Sequence, residues 1–261
     1  MKIQSFDGLS LHYECYGDKA ATPLLLVHGI GADHDMWLPQ ITSLPGQGFY
    51  CIVPDLRGHG QSQVPAKFLI KDCARDLHDL LNALEIEKAH LVGVSMGGMV
   101  VQEFVLQYPE QAASQTLVDS LSGIARPIER FNAWLAAIIL QFLSPKTQAK
   151  MISDAYKKLG NSEVGPYFEK RLLSMDGKWL LEARKEVNRF NVLDKLAGMH
   201  CPTLVLVGDG FGKMAIEMAR TSANGIPGAQ FSILPGGGDP SNLLVPEAFD
   251  QMVIEFVHQM A

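Results

Sequence analysis

The strongest constraint on this chain is a series of short, nearly continuous apolar runs: Leu24 to Val27, Tyr50 to Val53, Ala89 to Val92, Thr116 to Val118, Leu204 to Val207 and Phe231 to Leu234. A strand with one wet face alternates apolar and polar residues, so runs without that alternation call for cover on both faces. The segments between them have the length of crossover helices. In Asp72 to Leu84, for example, Cys73, Leu77, Leu80, Leu81 and Leu84 share one helical face. Residues 97–108 and 246–260 read as two further helices. Ahead of the runs, Ile3 to Phe6, the turn Asp7-Gly8 and the alternating Leu9, Leu11, Tyr13 and Cys15 spell a β-hairpin. The expected architecture is α/β, a mostly parallel central sheet behind an antiparallel N-terminal hairpin.

Residues 122–194 break the alternation. They hold no strand signal, but several helical segments carry large apolar groups: Phe131, Trp134, Leu135, Ile138, Phe142, Met151, Tyr156, Phe168 and Leu172. The expectation is a helical cap, residues 122–194, over a core formed by 1–121 and 195–261. Ligands in open α/β sheets bind at the carboxyl ends of the strands, so some of these side chains, Trp134 and Ile138 among them, are expected to line a ligand cavity.

Charge and composition exclude several function classes. With 22 Lys and Arg against 28 Asp and Glu, the net charge of −6 argues against a nucleic-acid partner, which clustered basic residues would attract. The longest apolar stretch, Ala133 to Leu143, is interrupted by Gln141 and falls well short of the roughly 20 residues of a membrane span. No secretory signal is visible, so a cytoplasmic protein is expected. Cys15, Cys51, Cys73 and Cys201 lie far apart without a C-x-x-C pair, which fits buried thiols in a reducing compartment. The oligomeric state is not legible.

Three motifs carry chemistry. Gly93-Val94-Ser95-Met96-Gly97 follows the Leu91-Val92 strand and precedes a helix, the context of a nucleophile elbow. Glycines two residues either side of Ser95 permit a tight strand-to-helix turn that exposes its hydroxyl at a helix N-terminus. Leu24 to Val27 runs into His28-Gly29-Ile30-Gly31, where the amides of Ile30 and Met96 can converge as a two-donor oxyanion hole. His28 is expected to fix this loop by hydrogen bonding rather than to exchange protons, beside a pocket lined by His28, Gly29 and Trp37. Asp55-Leu56-Arg57-Gly58-His59-Gly60-Gln61-Ser62 reads as a salt-bridged brace, since its spacing shows no metal-ligand pattern. No metal and no cofactor are expected. Gly208-Asp209-Gly210-Phe211-Gly212-Lys213 lacks the spacing of a phosphate-binding loop.

In this order and spacing the motifs resemble the α/β-hydrolase superfamily, in particular its small capped esterases, lactonases and carbon–carbon-bond hydrolases. The likeness extends through Trp37, Cys201-Pro202-Thr203-Leu204-Val205-Leu206-Val207-Gly208 and Leu243-Leu244-Val245-Pro246-Glu247-Ala248-Phe249. It implies a serine nucleophile, a histidine base after the last strand and an acid after the strand before it. This chain departs from that pattern at two of the three positions. Phe211 stands where the resemblance places the acid, and is expected to fill that volume beside the pocket. Asp239, after Gly236-Gly237-Gly238, stands where it places the histidine. Asp119 and Asp209 are the candidate substitute acids.

An unperturbed carboxylate is about 2.5 pH units less basic than imidazole, so it accepts the Ser95 proton less favourably by roughly 3.4 kcal/mol. The sequence therefore favours a non-hydrolytic step of lyase, cyclase or isomerase type on an apolar, carbonyl-bearing small molecule, with Ser95 retained and Asp239 as acid or base. The alternatives are a weak serine esterase or lactonase, a ligand-binding protein without chemistry, and an engineered triad variant of a working hydrolase.

Overall fold

All six apolar runs are strands of one eight-stranded sheet, in the order β1-β2-β4-β3-β5-β6-β7-β8. The strands are β1 Lys2–Gln4, β2 Ser10–Tyr16, β3 Thr22–Val27, β4 Phe49–Pro54, β5 Ala89–Val94, β6 Ala112–Val118, β7 Thr203–Gly208 and β8 Gln230–Leu234. The computed structural model describes residues 1–124, 135, 143–158 and 163–260. The N-terminal hairpin pairs Ile3 with Leu11, and β2 joins β4 antiparallel. From β3 to β8 every pairing is parallel.

Alternate residues of each central strand supply two separate core layers, as the two-residue strand period requires. Leu25, Val27, Ile52, Leu91, Leu117, Val205 and Val207 pack against helices α2 (Ile70–Ala83), α3 (Met96–Gln107) and α7 (Lys213–Gly225). Leu24, Leu26, Cys51, Val53, Val92, Val94, Leu204 and Leu206 face Trp37 and Phe249, Val253 and Phe256 of α9 (Pro246–His258). These strand leucines are fully buried, each worth about 1.5–3 kcal/mol of transfer free energy. Helix α7 was not expected from the sequence: its packed face is Ala219, Ser222 and Ala223, side chains too small to give an apolar stripe. Nor was the short helix α1 (Leu38–Ser43), whose one fully enclosed residue is the polar Gln40.

Between β6 and β7 lie α4 (Pro145–Lys158), α5 (Val164–Ser174) and α6 (Gly177–Arg189); the short α8 (Ser241–Leu244) precedes α9. Of the apolar side chains noted there, Phe168 and Leu172 are buried, whereas Leu135 and Met151 are exposed. Phe131, Trp134, Ile138 and Phe142 lie outside the described residues. These helices reach the loops at the carboxyl ends of the strands. A methyl on Gly31 would meet Leu172 Cδ2 at 2.9 Å, and Ile30 packs with Leu172, Leu180 and Ala149. Among the described residues, no helix is long and apolar enough to cross a membrane. The four cysteines are free, three of them buried.

Candidate active site

The elbow is built by close backbone approach. A methyl on Gly97 would lie 2.1 Å from the Val27 carbonyl oxygen, and one on Gly93 would lie 2.4 Å from the Gly97 carbonyl oxygen, so neither position tolerates a side chain. Between them Ser95 adopts φ 54°, a left-handed conformation that costs on the order of 1–3 kcal/mol in a residue with a side chain. The turn is held by Ser95 N–H donating to Val118 O (2.8 Å) and Ser120 Oγ donating to Ser95 O (2.7 Å). A serine at the head of a helix ordinarily caps it by accepting an amide hydrogen bond. Here the side chain makes no cap bond and instead donates to Asp239 Oδ2 at 2.9 Å.

Asp239 lies on the loop after β8, half-buried, with its backbone carbonyl accepting a 2.6 Å hydrogen bond from the Tyr156 hydroxyl of α4. Burial, then the nearby negative charge of Asp119, push its carboxyl up to about 7; the Ser95 hydrogen bond and the positive charge of Arg184 on α6 oppose the rise. Asp119 follows β6 and is 2% exposed. It accepts from Gly208 N (2.8 Å) and Ser241 N (2.7 Å). Burial raises Asp119 to about 6 against those hydrogen bonds. Asp119 thus ties the loops after β7 and β8 together and sets the potential at Asp239. Asp209, the other candidate acid, is exposed and among the described residues accepts only from Gly236 N (2.8 Å).

The loop after β3 comes against the serine: a methyl on Gly29 would sit 3.2 Å from Ser95 Cβ. Met96 is the first residue of α3, so its amide has no carbonyl one turn back to bond with. His28 is fully buried; its Nδ1 bonds Gly29 O (2.8 Å) and its Nε2 accepts from Leu56 N (3.0 Å), the loop-fixing role expected of it. Arg57 is the brace, clamped by two 2.7 Å bonds to Asp76 with Asp7 at 3.1 Å. Among the described residues, none of the eight histidines hydrogen-bonds to Ser95. Six have partners elsewhere, and His200 and His258 are exposed.

The match to known proteins follows the same layout. Residues 22–244 fit the family model described as alpha/beta hydrolase fold. The chain belongs to the α/β-hydrolase family. Within that family it is 28% identical over 258 residues to 3-oxoadipate enol-lactonase 1 of Acinetobacter baylyi, covering 98% of this chain and 96% of that protein. Among solved structures it resembles a thermophilic esterase from Thermogutta terrifontis, with 30% identity, TM-score 0.86 and coverage of 100% and 98%. It also resembles a hydrolase from Pseudomonas aeruginosa, with 26% identity, TM-score 0.84 and coverage of 98% and 97%.

Two expected pocket residues of this α/β hydrolase sit elsewhere. Trp37 is fully enclosed in the core, its ring 6.2 Å from that of Phe249, because the 3₁₀ turn His34–Trp37 points it under the sheet. Phe211 is 39% exposed, so its ring is not the enclosed filler expected of it. The loops after β7 and β8 pack backbone against backbone. A methyl on Gly208 would lie 2.1 Å from Gly237 C. Trp134 and Ile138 fall outside the described residues. Tyr156 and Arg184 were not read as site residues: each is one polar group on an inserted helix, with no motif to mark it.

Proposed function

We propose that this α/β hydrolase acts on esters or lactones of apolar small molecules through a Ser95–Asp239 dyad. The observation that carries the reading is the 2.9 Å bond from Ser95 Oγ to a carboxylate pushed up to about 7. An unperturbed carboxylate is too weak a base for efficient hydrolysis. Burial and Asp119 remove that objection, since a group near 7 matches imidazole in driving force. The hydrolases and lactonase among its relatives support the same class.

In this reading Ser95 Oγ bonds to the substrate carbonyl carbon while its proton passes to Asp239 Oδ2. The amides of Ile30 and Met96 receive the oxyanion. Collapse breaks the bond to the leaving alkoxide, which takes the proton from Asp239. Water then attacks the acyl group, giving its proton to Asp239, and Ser95 recovers its own as the acid departs. Residues 122–194 act as the cap over the core of 1–121 and 195–261, and the substrate lies between the two.

A second reading is supported by the neighbour that Asp239 has. It is a like charge, Asp119, rather than a histidine-orienting acid, so the protonated form is a neutral acid able to act directly on substrate in a lyase, cyclase or isomerase step. Turnover of aryl esters and lactones by Ser95→Ala separates the two. Loss of hydrolysis together with an acyl adduct of Ser95 in the unaltered protein supports the dyad; full turnover without Ser95 rejects it in favour of direct proton transfer by Asp239.

A further inference from the structure

Away from Ser95, two pairs of side chains, His12 and Glu14 on β2 and His34 and Asp35 after the β3 loop, come together. His12, Glu14 and Tyr16 alternate with Tyr13 and Cys15 along β2, and the two-residue period puts all three on one face. His34 begins the turn that follows the His28-Gly29-Ile30 loop, and Asp35 comes next. Ligand atoms of His12, His34 and Asp55 lie within 4.8 Å of one another.

The hydrogen bonds define which ring atom is free. Asp55 acts as an acceptor throughout, taking the His34 and Gln61 amides at 2.8 Å each, and His34 Nδ1 lies 2.8 Å from its Oδ1. The hydrogen of a neutral His34 ring therefore belongs on Nδ1, which leaves the lone pair on Nε2. That Nε2 faces Asp35 Oδ1 at 3.5 Å and Glu14 Oε1 at 3.8 Å. Glu14 Oε1 is also 3.4 Å from His12 Nε2, which sits 3.3 Å from the Gln61 side-chain amide. Protons on the two Nε2 atoms satisfy these contacts; displaced, they leave two nitrogen lone pairs and two carboxylate oxygens at the spacing that ligand atoms take around a single cation. In a tetrahedral zinc site with bonds of 2.0–2.1 Å, neighbouring ligand atoms are about 3.4 Å apart.

We propose that His12, Glu14 and His34, with Asp35 as fourth ligand, form a binding site for a divalent transition ion of the zinc class. Asp55 then holds His34 from behind through Nδ1, the outer carboxylate that metal-bound histidines commonly have. The Tyr16 hydroxyl fixes the second oxygen of Glu14. His12 is buried, while Glu14 and Asp35 are about a third exposed, so an ion can enter from solvent. The ion would clamp β2 to the loop that carries the Ile30 amide. No metal-ligand pattern marks these residues in the sequence, since the pairs 12/14 and 34/35 lie on two segments that only the fold brings together.

The test is zinc titration of the metal-stripped full chain by calorimetry, with cobalt(II) absorption to report coordination. The expected result is one ion per chain, a tetrahedral nitrogen and oxygen spectrum, and a Tm raised on the order of 5 °C at saturating zinc. Glu14→Gln and His34→Gln should each weaken binding at least tenfold, and exposed His200→Gln should leave it unchanged. Glu14 lies at the surface, so its variant tests the site even where His34→Gln fails to fold. Absence of saturable binding, or binding that survives Glu14→Gln, would overturn the proposal. So would nitrogen NMR showing both imidazoles still doubly protonated in excess zinc, which would mean that protons alone hold the cluster.

Discussion

Replacing Asp239 by asparagine should make the folded protein more stable, and increasingly so as pH rises. The carboxyl is lifted from an ordinary 3.8 to about 7 by burial and by the charge of Asp119. Between those values the folded state keeps a proton that the unfolded chain releases. The stability of the unaltered protein is therefore full below pH about 4 and declines as pH climbs through about 7. At 1.36 kcal/mol per pH unit the penalty is about 2 kcal/mol at pH 5 and about 4 kcal/mol at pH 8. Halving these for the partial opening of the site to solvent leaves a gain for Asp239→Asn of about 2 kcal/mol at pH 8, roughly 4–8 °C in Tm. Scanning calorimetry of both proteins at pH 5 and pH 8 is the assay. A variant that melts lower at both values, or a gain independent of pH, would refute the electrostatic reasoning.

Asp119→Asn removes the like charge and should move the titration of Asp239 to lower pH by on the order of one unit. Carbon NMR of the Asp239 carboxyl reads that midpoint directly, and an unchanged value would mean the two carboxylates are not coupled. The same variant loses one of the two amide bonds from Gly208 and Ser241, so a destabilisation of about 1–3 kcal/mol should accompany the shift in denaturant unfolding. Gly97→Ala places a methyl 2.1 Å from Val27 O and should cost at least about 3 kcal/mol, since backbone rather than a flexible side chain has to move. An alanine variant of unaltered stability would show that the elbow is less tightly packed than described.

The strands and the elbow were legible because each is a local pattern: a run without alternation, or glycines flanking a serine. Asp239 was legible by its place after the last strand, and its hydrogen bond to Ser95 follows from that place. Its basicity was not. It depends on burial and on Asp119, which is 120 positions earlier and meets Asp239 only through parallel pairing of β6, β7 and β8. The close approach of Gly208 to Gly237 was hidden for a related reason, since it joins the end of β7 to the loop after β8. Tyr156 and Arg184 come from the inserted helices, where sequence marks an apolar stripe but not which polar residue ends up over the site.

The central claim is that Asp239 takes the proton of Ser95. The most direct measurement is the rate at which a fluorophosphonate labels Ser95 as a function of pH. The expected profile rises with a midpoint near 7 and collapses in Asp239→Asn. Labelling that is flat with pH, or as fast in the variant as in the unaltered protein, would contradict the claim.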